Sequence, residues 1–188
     1  MQRISLINIA HQHISEILLP GDITIDATLG NGHDALFLLN LITPSGQVFG
    51  FDIQLAAIAA TQAKSAGATG LTLIHASHAL MADKIPEQYH GHIKSIMFNL
   101  GYLPGGDKSI ITQTVSTLCA LNTATELLAA DGIMTIMAYP GHAGGDLETA
   151  QIEHWCEHLD NSHFSYQILY STVTCATAPR LFILRKTH

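Results

Sequence analysis

Five short stretches of this chain set polar, reactive side chains directly after apolar runs. The first is "DATLGNGHD", residues 26–34, behind "ITI" and ahead of "ALFLLNLI". Gly30, Asn31, Gly32 and Ala35 match G-x-G-x-x-A, and Asp52 lies twenty residues after Gly32. That spacing lets a backbone turn approach a ligand while a later carboxylate holds a ribose, as in dinucleotide sites. Asp26, four residues before Gly30, points to another ligand. A carboxylate at a strand end suits a positively charged group and would repel a pyrophosphate. A turn built only for tight packing is the alternative.

The second stretch is "FDIQ", residues 51–54. Asp52 could accept both hydroxyls of a ribose, and Gln54 could add a polar contact; Asp52 could also cap the following helix. The third is "HASH", residues 75–78. Ser77 and His78 could bind the edge of a base, although Ser77 is also a natural N-cap. His75 and His78 lack a third ligand at a recognisable spacing, so no metal is expected.

The fourth stretch, "NLGYLPGGDK", covers residues 99–108. The Asn99 carbonyl can accept a hydrogen bond from an amine and so aim its lone pair, and the Tyr102 ring can pack against the target. A loop that turns at Pro104-Gly105-Gly106 for its own sake is the alternative. The fifth, "YPGHAGGD", residues 139–146, adds Tyr139 and His142. An aliphatic amine is mostly protonated near neutral pH, and its ammonium has no lone pair, so a base must first remove a proton. His142 suits that task by its chemistry; a structural histidine on a backbone carbonyl is the competing reading.

The elements that must position these residues alternate along the chain. "DITIDATL", "QVFGFD", "LTLIH", "IKSIMFNL" and "GIMTIMAY" read as strands one to five. "HDALFLLNLI", "LAAIAATQAKSAG", the short "SHALMADKIP" and "DLETAQIEHWCEHL" read as helices, and "SIITQTVSTLCALNTATELLAADG" as a helix broken near Asn122. An amphipathic helix at about residues 4–18 precedes them, ended by Pro20-Gly21. Apolar strands alternating with helices imply a doubly wound, mostly parallel sheet. "YQILYSTV" and "RLFILRK" are joined by only "TCATAP", too short for a parallel crossover, so these last strands pair antiparallel. In such α/β sheets ligands sit at the carboxyl ends of the strands, where all five stretches fall.

At 188 residues one domain is expected over the whole chain. No apolar run approaches the ~20 residues of a membrane span. The N-terminus has one basic residue and apolar positions interrupted by His11, His13 and Glu16, unlike a signal peptide. Cys119, Cys156 and Cys175 are odd in number and form no CxxC, which fits a reducing cytoplasm. The net charge of -7, with eight Lys and Arg, weighs against a general nucleic-acid binder. It leaves room for a reader of a small exposed site.

The sheet ending in an antiparallel strand resembles the class I S-adenosylmethionine-dependent methyltransferase fold. The acid-then-Gly-x-Gly pattern of "DATLGNG" resembles its cofactor motif, whose ligand carries a sulfonium and an ammonium. Asn99 and Tyr102 hold the ends of a pattern similar to [DNS]-P-P-[YFW] of nitrogen methyltransferases, with Leu100 and Gly101 in place of both prolines.

Together the five stretches resemble bacterial tRNA 5-(aminomethyl)uridine methyltransferases over nearly the whole chain. The resemblance implies that S-adenosylmethionine methylates the aminomethyl group of a wobble uridine, often 2-thiolated, in a tRNA anticodon loop. It implies a cofactor site of Asn31, His33, Asp34, Asp52, Gln54, Ser77 and His78, beside Asp26, Gly30 and Gly32 of the motif. It sets Asn99, Tyr102, Tyr139 and His142 toward the modified base. Relatives usually have a small residue where Leu29 stands, so that turn is expected to shift slightly. A single-stranded loop is read by stacking and base edges, with fewer phosphates; Lys108, Arg180, Arg185 and Lys186 could form a local basic rim.

The residues alone stop at a methyltransferase with an amine acceptor. A small-molecule acceptor, an rRNA target and a nicotinamide-dependent oxidoreductase stay open. A homodimer is compatible with the sequence, which does not fix the oligomeric state.

Overall fold

The computed structural model describes residues 5–103, 105–107, 109–171 and 175–187. The chain runs α1 (Leu6–Ser15), β1 (Ile23–Asp26), α2 (His33–Ile42), β2 (Gln47–Asp52), α3 (Leu55–Ser65), β3 (Leu71–His75), α4 (Met81–Lys84), β4 (Ile93–Asn99), α5 (Thr114–Leu127), β5 (Leu128–Ala138), α6 (Gly145–Glu157), β6 (Phe164–Tyr170) and β7 (Arg180–Lys186). A 3-10 turn, His78–Leu80, leads into α4.

The strands form one seven-stranded sheet in the order β3-β2-β1-β4-β5-β7-β6. β1 to β5 pair in parallel, while β7 pairs antiparallel with both β5 and β6. This is the mostly parallel class I methyltransferase architecture expected from the alternation of elements.

Alternate residues of the strands feed two cores, as the pleat requires. Phe49, Phe98, Ile136, Phe182 and Leu184 face α4, α5 and α6; Val48, Met97, Met137, Leu181 and Ile183 face α1 and α2. Leu29 also turns into the second core, against the bare Cα of Gly50, where a Cβ would lie 2.6 Å from its Cδ1. The large residue at this position is thus absorbed below the turn.

Several element boundaries differ from expectation. The fifth helix begins at Thr114 and continues through Asn122 to Leu127. Asn122 does not break it because its side-chain oxygen faces outward and accepts the indole N–H of Trp155 at 2.8 Å. β5 then starts at once: Leu128 pairs with Ile93 and Ile133 with Ser95, so "AADG" bulges out between, with Asp131 at φ 58°. A strand can begin without a loop where such a bulge absorbs the change of direction. The first helix is also shorter, ending at Ser15 with Glu16 as its C-cap.

Strand order reverses between β1 and β4, which places a crevice beyond their carboxyl ends. Asp26 ends β1 there and is completely buried. Its Oδ1 accepts the Thr28 backbone N–H at 3.1 Å, and its Oδ2 has no hydrogen-bond partner. Burial first, then the neighbouring Asp34 and more weakly Asp52, raise its carboxyl well above the usual carboxylate range. An acid whose folded pKa exceeds its unfolded value makes the fold lose stability as pH rises from about 3.9 toward the folded value. Asp26→Asn removes this titration. Urea midpoints at a series of pH values are therefore expected to move in the variant's favour, relative to the parent, as pH rises above about 4. A difference that stays level from acid to neutral pH would show that Asp26 holds its charge in the fold.

Candidate active site

A cavity of about 860 Å³ opens at the carboxyl ends of β1 to β5. Its walls are the turns after each strand: residues 27–31 with His33 and Asp34, then 51–54, 76–78, 99–103, and Tyr139 with Gly141 and His142. Twelve of the fourteen predicted site residues line it: Gly30, Asn31, His33, Asp34, Asp52, Gln54, Ser77, His78, Asn99, Tyr102, Tyr139 and His142.

Asp26 and Gly32 do not. Asp26 lies buried beneath the turn, where its Asx hydrogen bond to Thr28 braces the backbone. Gly32 is the N-cap of α2, with φ 77°. A Cβ there would lie 2.5 Å from Thr61 Oγ1, so this glycine serves backbone conformation and close packing on α3.

Asp52 joins two turns. Its Oδ2 accepts the Gly30 N–H at 2.9 Å and its Oδ1 the Gln54 N–H at 2.8 Å. A carboxylate has about four lone-pair sites, so capacity remains for ligand hydroxyls. The capping reading and the ligand reading are therefore compatible. Gln54 stands at the N-cap of α3 without a side-chain capping bond.

Ser77 also does both. It accepts the Ala79 N–H at 3.2 Å as the cap of the 3-10 turn, and it lines the cavity. His78 Nδ1 donates to the Ala27 carbonyl at 3.2 Å, which leaves Nε2 as an acceptor; that atom is buried and unpartnered. Burial holds the ring below its ordinary pKa, and so neutral. His75 turns to a different carboxyl-end carbonyl, that of Ile53, at 2.9 Å.

On the opposite wall, Thr28 Oγ1 accepts the Asn99 N–H at 2.7 Å, fixing the backbone where β4 ends. The Asn99 amide nitrogen points to Asp34 Oδ2 at 3.4 Å. An ionised carboxylate only accepts, so the amide NH2 belongs on that side and the Asn99 carbonyl is turned from it. Tyr102, 41 % exposed, meets the His142 ring edge-on at 6.3 Å between centroids. His142 Nδ1 donates to the Ala143 carbonyl at 3.1 Å, so in a neutral ring the lone pair is on Nε2; that atom is buried and has no partner. The structural reading of this histidine accounts for one ring nitrogen and leaves the other available. Burial, then Asp34, pushes the Tyr139 phenol up, so it is a donor near neutral pH.

The loop after β4 is held from outside the predicted motifs. Tyr102 bridges Ile111, and Thr112 N donates to the Gly101 carbonyl at 2.9 Å. Buried Glu148 of α6 accepts the hydroxyls of Thr112 at 2.8 Å and Thr117 at 2.7 Å. Ile110, Ile111, Gln113 and Ser116 add to the cavity wall. Ile7 and His11 enter from α1. His11 Nε2 lies 2.7 Å from Asp34 Oδ1. None of these had a motif to mark them; the "Q-x-x-S" of residues 113–116 at a helix start is the nearest to a signal.

The expected basic rim is only partly in place. Arg180 pairs with Ala138 at the cavity end of the sheet, but its guanidinium is bound to Glu153 at 2.7 Å. Arg185 and Lys186 end β7, which runs antiparallel, and so lie at the far end; Lys186 binds the carbonyls of Thr125 and Leu128. Lys108 lies outside the described residues.

Among known proteins, the family described as "Putative rRNA methylase" matches residues 48–185. A curated relative from Arabidopsis thaliana, "tRNA (mnm(5)s(2)U34)-methyltransferase, chloroplastic", is 36% identical over 156 residues. That match covers 77% of this chain and 56% of the relative, so the chain spans little more than half the plant protein's length. The "putative rRNA-methylase" of Clostridium thermocellum shares 35% identity at a TM-score of 0.92, over 99% of this chain and 100% of that one. A Streptococcus mutans protein solved in complex with SAH shares 32% at 0.86, over 98% and 99%. With the match extending from β2 to the last strand, and near-complete overlap with solved members, the chain belongs to the rRNA methylase family.

Proposed function

We propose that this protein is an S-adenosylmethionine-dependent N-methyltransferase. Its acceptor is the aminomethyl group of a wobble 5-aminomethyl-(2-thio)uridine in tRNA, and its product the 5-methylaminomethyl nucleoside. The carrying observation is that Asn99, its amide nitrogen committed to Asp34, faces the same cavity as the Asp52 carboxylate. The name of the plant relative supports the nucleoside, and the SAH held by the Streptococcus mutans relative supports the cofactor.

The residues present fit that cofactor. The cavity is within the roughly 300–1,000 Å³ of ordinary ligand sites. Asp52 keeps lone pairs for a ribose diol, and His78 Nε2 is an unpartnered buried acceptor on the same wall. When bound, S-adenosylmethionine supplies a methyl group on a sulfonium, already a good leaving group. The protein must then deliver a neutral amine in line with it, at roughly 3–3.5 Å. The Asn99 carbonyl accepts an amine N–H and aims the lone pair. His142 Nε2 takes the proton from the ammonium form. Tyr102 packs on the base, and the Tyr139 hydroxyl donates within the same corner.

The acidic charge and the engaged Arg180 favour few phosphate contacts. An anticodon loop read by stacking meets that condition. So does a small-molecule amine, which is the second reading. The three free cysteines support action in a reducing cytoplasm, and no described helix is long and apolar enough to cross a membrane. The chain would act as one catalytic domain, alone or as a homodimer. Nucleoside mass spectrometry of tRNA from cells lacking the protein separates the readings. Accumulated 5-aminomethyl nucleosides support tRNA; an unchanged nucleoside profile leaves the small-molecule reading.

Three outcomes are expected of purified variants. Asp52→Ala weakens S-adenosylmethionine binding by about 1.5–3 kcal/mol per charged hydrogen bond lost, and Asp52→Asn by less, read by calorimetry. Unchanged affinity in both would remove Asp52 from the cofactor site. Asn99→Ala lowers turnover by roughly a hundredfold while leaving cofactor affinity near the parent's, because orientation acts on the chemical step. Equal losses in both would assign Asn99 to loop structure. Turnover rises with pH as the bound amine loses its proton, and His142→Ala makes that rise steeper and shifts it to higher pH. A parental rate and profile in His142→Ala would send the proton through water instead.

A further inference from the structure

His11 lies outside every motif of the chain, yet it is built into the cavity wall. We propose that His11 is a positioning residue for the acceptor amine, acting through Asp34 on the Asn99 carboxamide. The proposal rests on the N-methyltransferase reading above for the identity of that amine, though not for the geometry of the relay.

The two oxygens of one carboxylate are divided between two elements. Asp34 Oδ1 is 2.7 Å from His11 Nε2 on α1, and Oδ2 is 3.4 Å from Asn99 Nδ2 at the end of β4. Asp34 is in the first turn of α2, with its side chain only 12% exposed. Because an ionised carboxylate donates nothing, His11 Nε2 carries the proton whether the ring is neutral or charged. The same rule turns the Asn99 NH2 toward Asp34 and its carbonyl away. The second bond is long. Hydrogen bonds in an unliganded site commonly tighten only when substrate is present.

The two ends of the relay are also held independently of Asp34. The Asn99 backbone is held separately by Thr28 Oγ1, so Asp34 decides only the amide's rotation. The His11 ring is stacked flat on Phe37 of α2, with centroids 3.8 Å apart and planes 6° apart. α1 is seated by buried Ala10 and Ile14 and capped by Ser5, which accepts the Asn8 N–H at 3.2 Å. Deleting the imidazole leaves one Asp34 oxygen without its partner and free to swing. A free carboxylate here would also compete for the substrate's ammonium and hold it in the protonated, unreactive form. His11 occupies that oxygen and keeps Asp34 on Asn99.

Two measurements test this. The Asn99 side-chain amide resonances, assigned by their loss in Asn99→Ala, are recorded without substrate in the parent, His11→Ala and His11→Gln. The relay predicts a clear shift in His11→Ala and a return toward the parent in His11→Gln, whose amide can donate to Asp34. Unmoved resonances in His11→Ala overturn it. This arm needs no turnover, so it stands even if the parent transfers no methyl to tRNA, a result that would sink the functional reading alone. The second arm compares steady-state kinetics on undermodified tRNA. His11→Ala is expected to lower kcat roughly tenfold, with KM for tRNA and the S-adenosylmethionine Kd within about threefold. His11→Gln recovers most of kcat. Adding His11→Ala to Asn99→Ala costs little more than Asn99→Ala alone, since both break one chain. Losses that multiply, no rescue by Gln, or a loss confined to cofactor affinity would each overturn the proposal.

Discussion

One hydroxyl ties the two halves of the site together. Thr28 Oγ1 accepts the Asn99 N–H across the point where strand order reverses, and the Thr28 N–H is held in turn by buried Asp26. On the proposed reading, the turn that would approach the cofactor and the residue that would orient the acceptor are thereby set at a fixed separation. Methyl transfer in line needs little else from a scaffold. Both reactants must be delivered to one place with their axes matched, and on the proposed reading a short chain of part-buried hydrogen bonds at the switch point serves that end. The outer bonds share this logic: Asp52 locks the first turn to the second, and Glu148 locks the loop after β4 to α6 through Thr112.

Charge is used sparingly. Asp34 and Asp52 bring two acidic side chains to the cavity, which on the proposed reading suit a cationic cofactor and an ammonium-bearing acceptor. The cations of β7 are occupied elsewhere, Arg180 by Glu153 and Lys186 by helix-end carbonyls. An RNA reaching this cavity would be held by what it inserts more than by its backbone. Tyr102, exposed and lining the cavity, would offer an inserted base a stacking surface on the proposed reading.

Much of this was legible in the sequence because polar residues that end apolar strands of a doubly wound sheet must converge on one crevice. Asp52, Asn99, Tyr139 and His142 could be found that way. His11 could not, because α1 precedes the first strand and no spacing rule says where it docks. Arg185 and Lys186 differ from expectation for a related reason. Their nearness in sequence to Arg180 hid the fact that an antiparallel strand carries them to the other end of the sheet. Asp26 is legible as part of the turn, yet its complete burial follows from tertiary packing, which a short-range pattern does not report. The helix before β5 was drawn too long at both ends, since a bulge lets a strand begin where composition still favours helix.

The central claim is that the cavity delivers a neutral primary amine to a methyl donor. It is tested most directly by a single labelling measurement. An anticodon stem-loop carrying 5-aminomethyluridine is incubated with the protein and S-adenosylmethionine bearing an isotopically heavy methyl, digested, and read by tandem mass spectrometry. The account predicts one heavy methyl on the aminomethyl nitrogen of that nucleoside and none on a stem-loop with plain uridine. Label on a ring carbon, on ribose, or on both RNAs alike would contradict it.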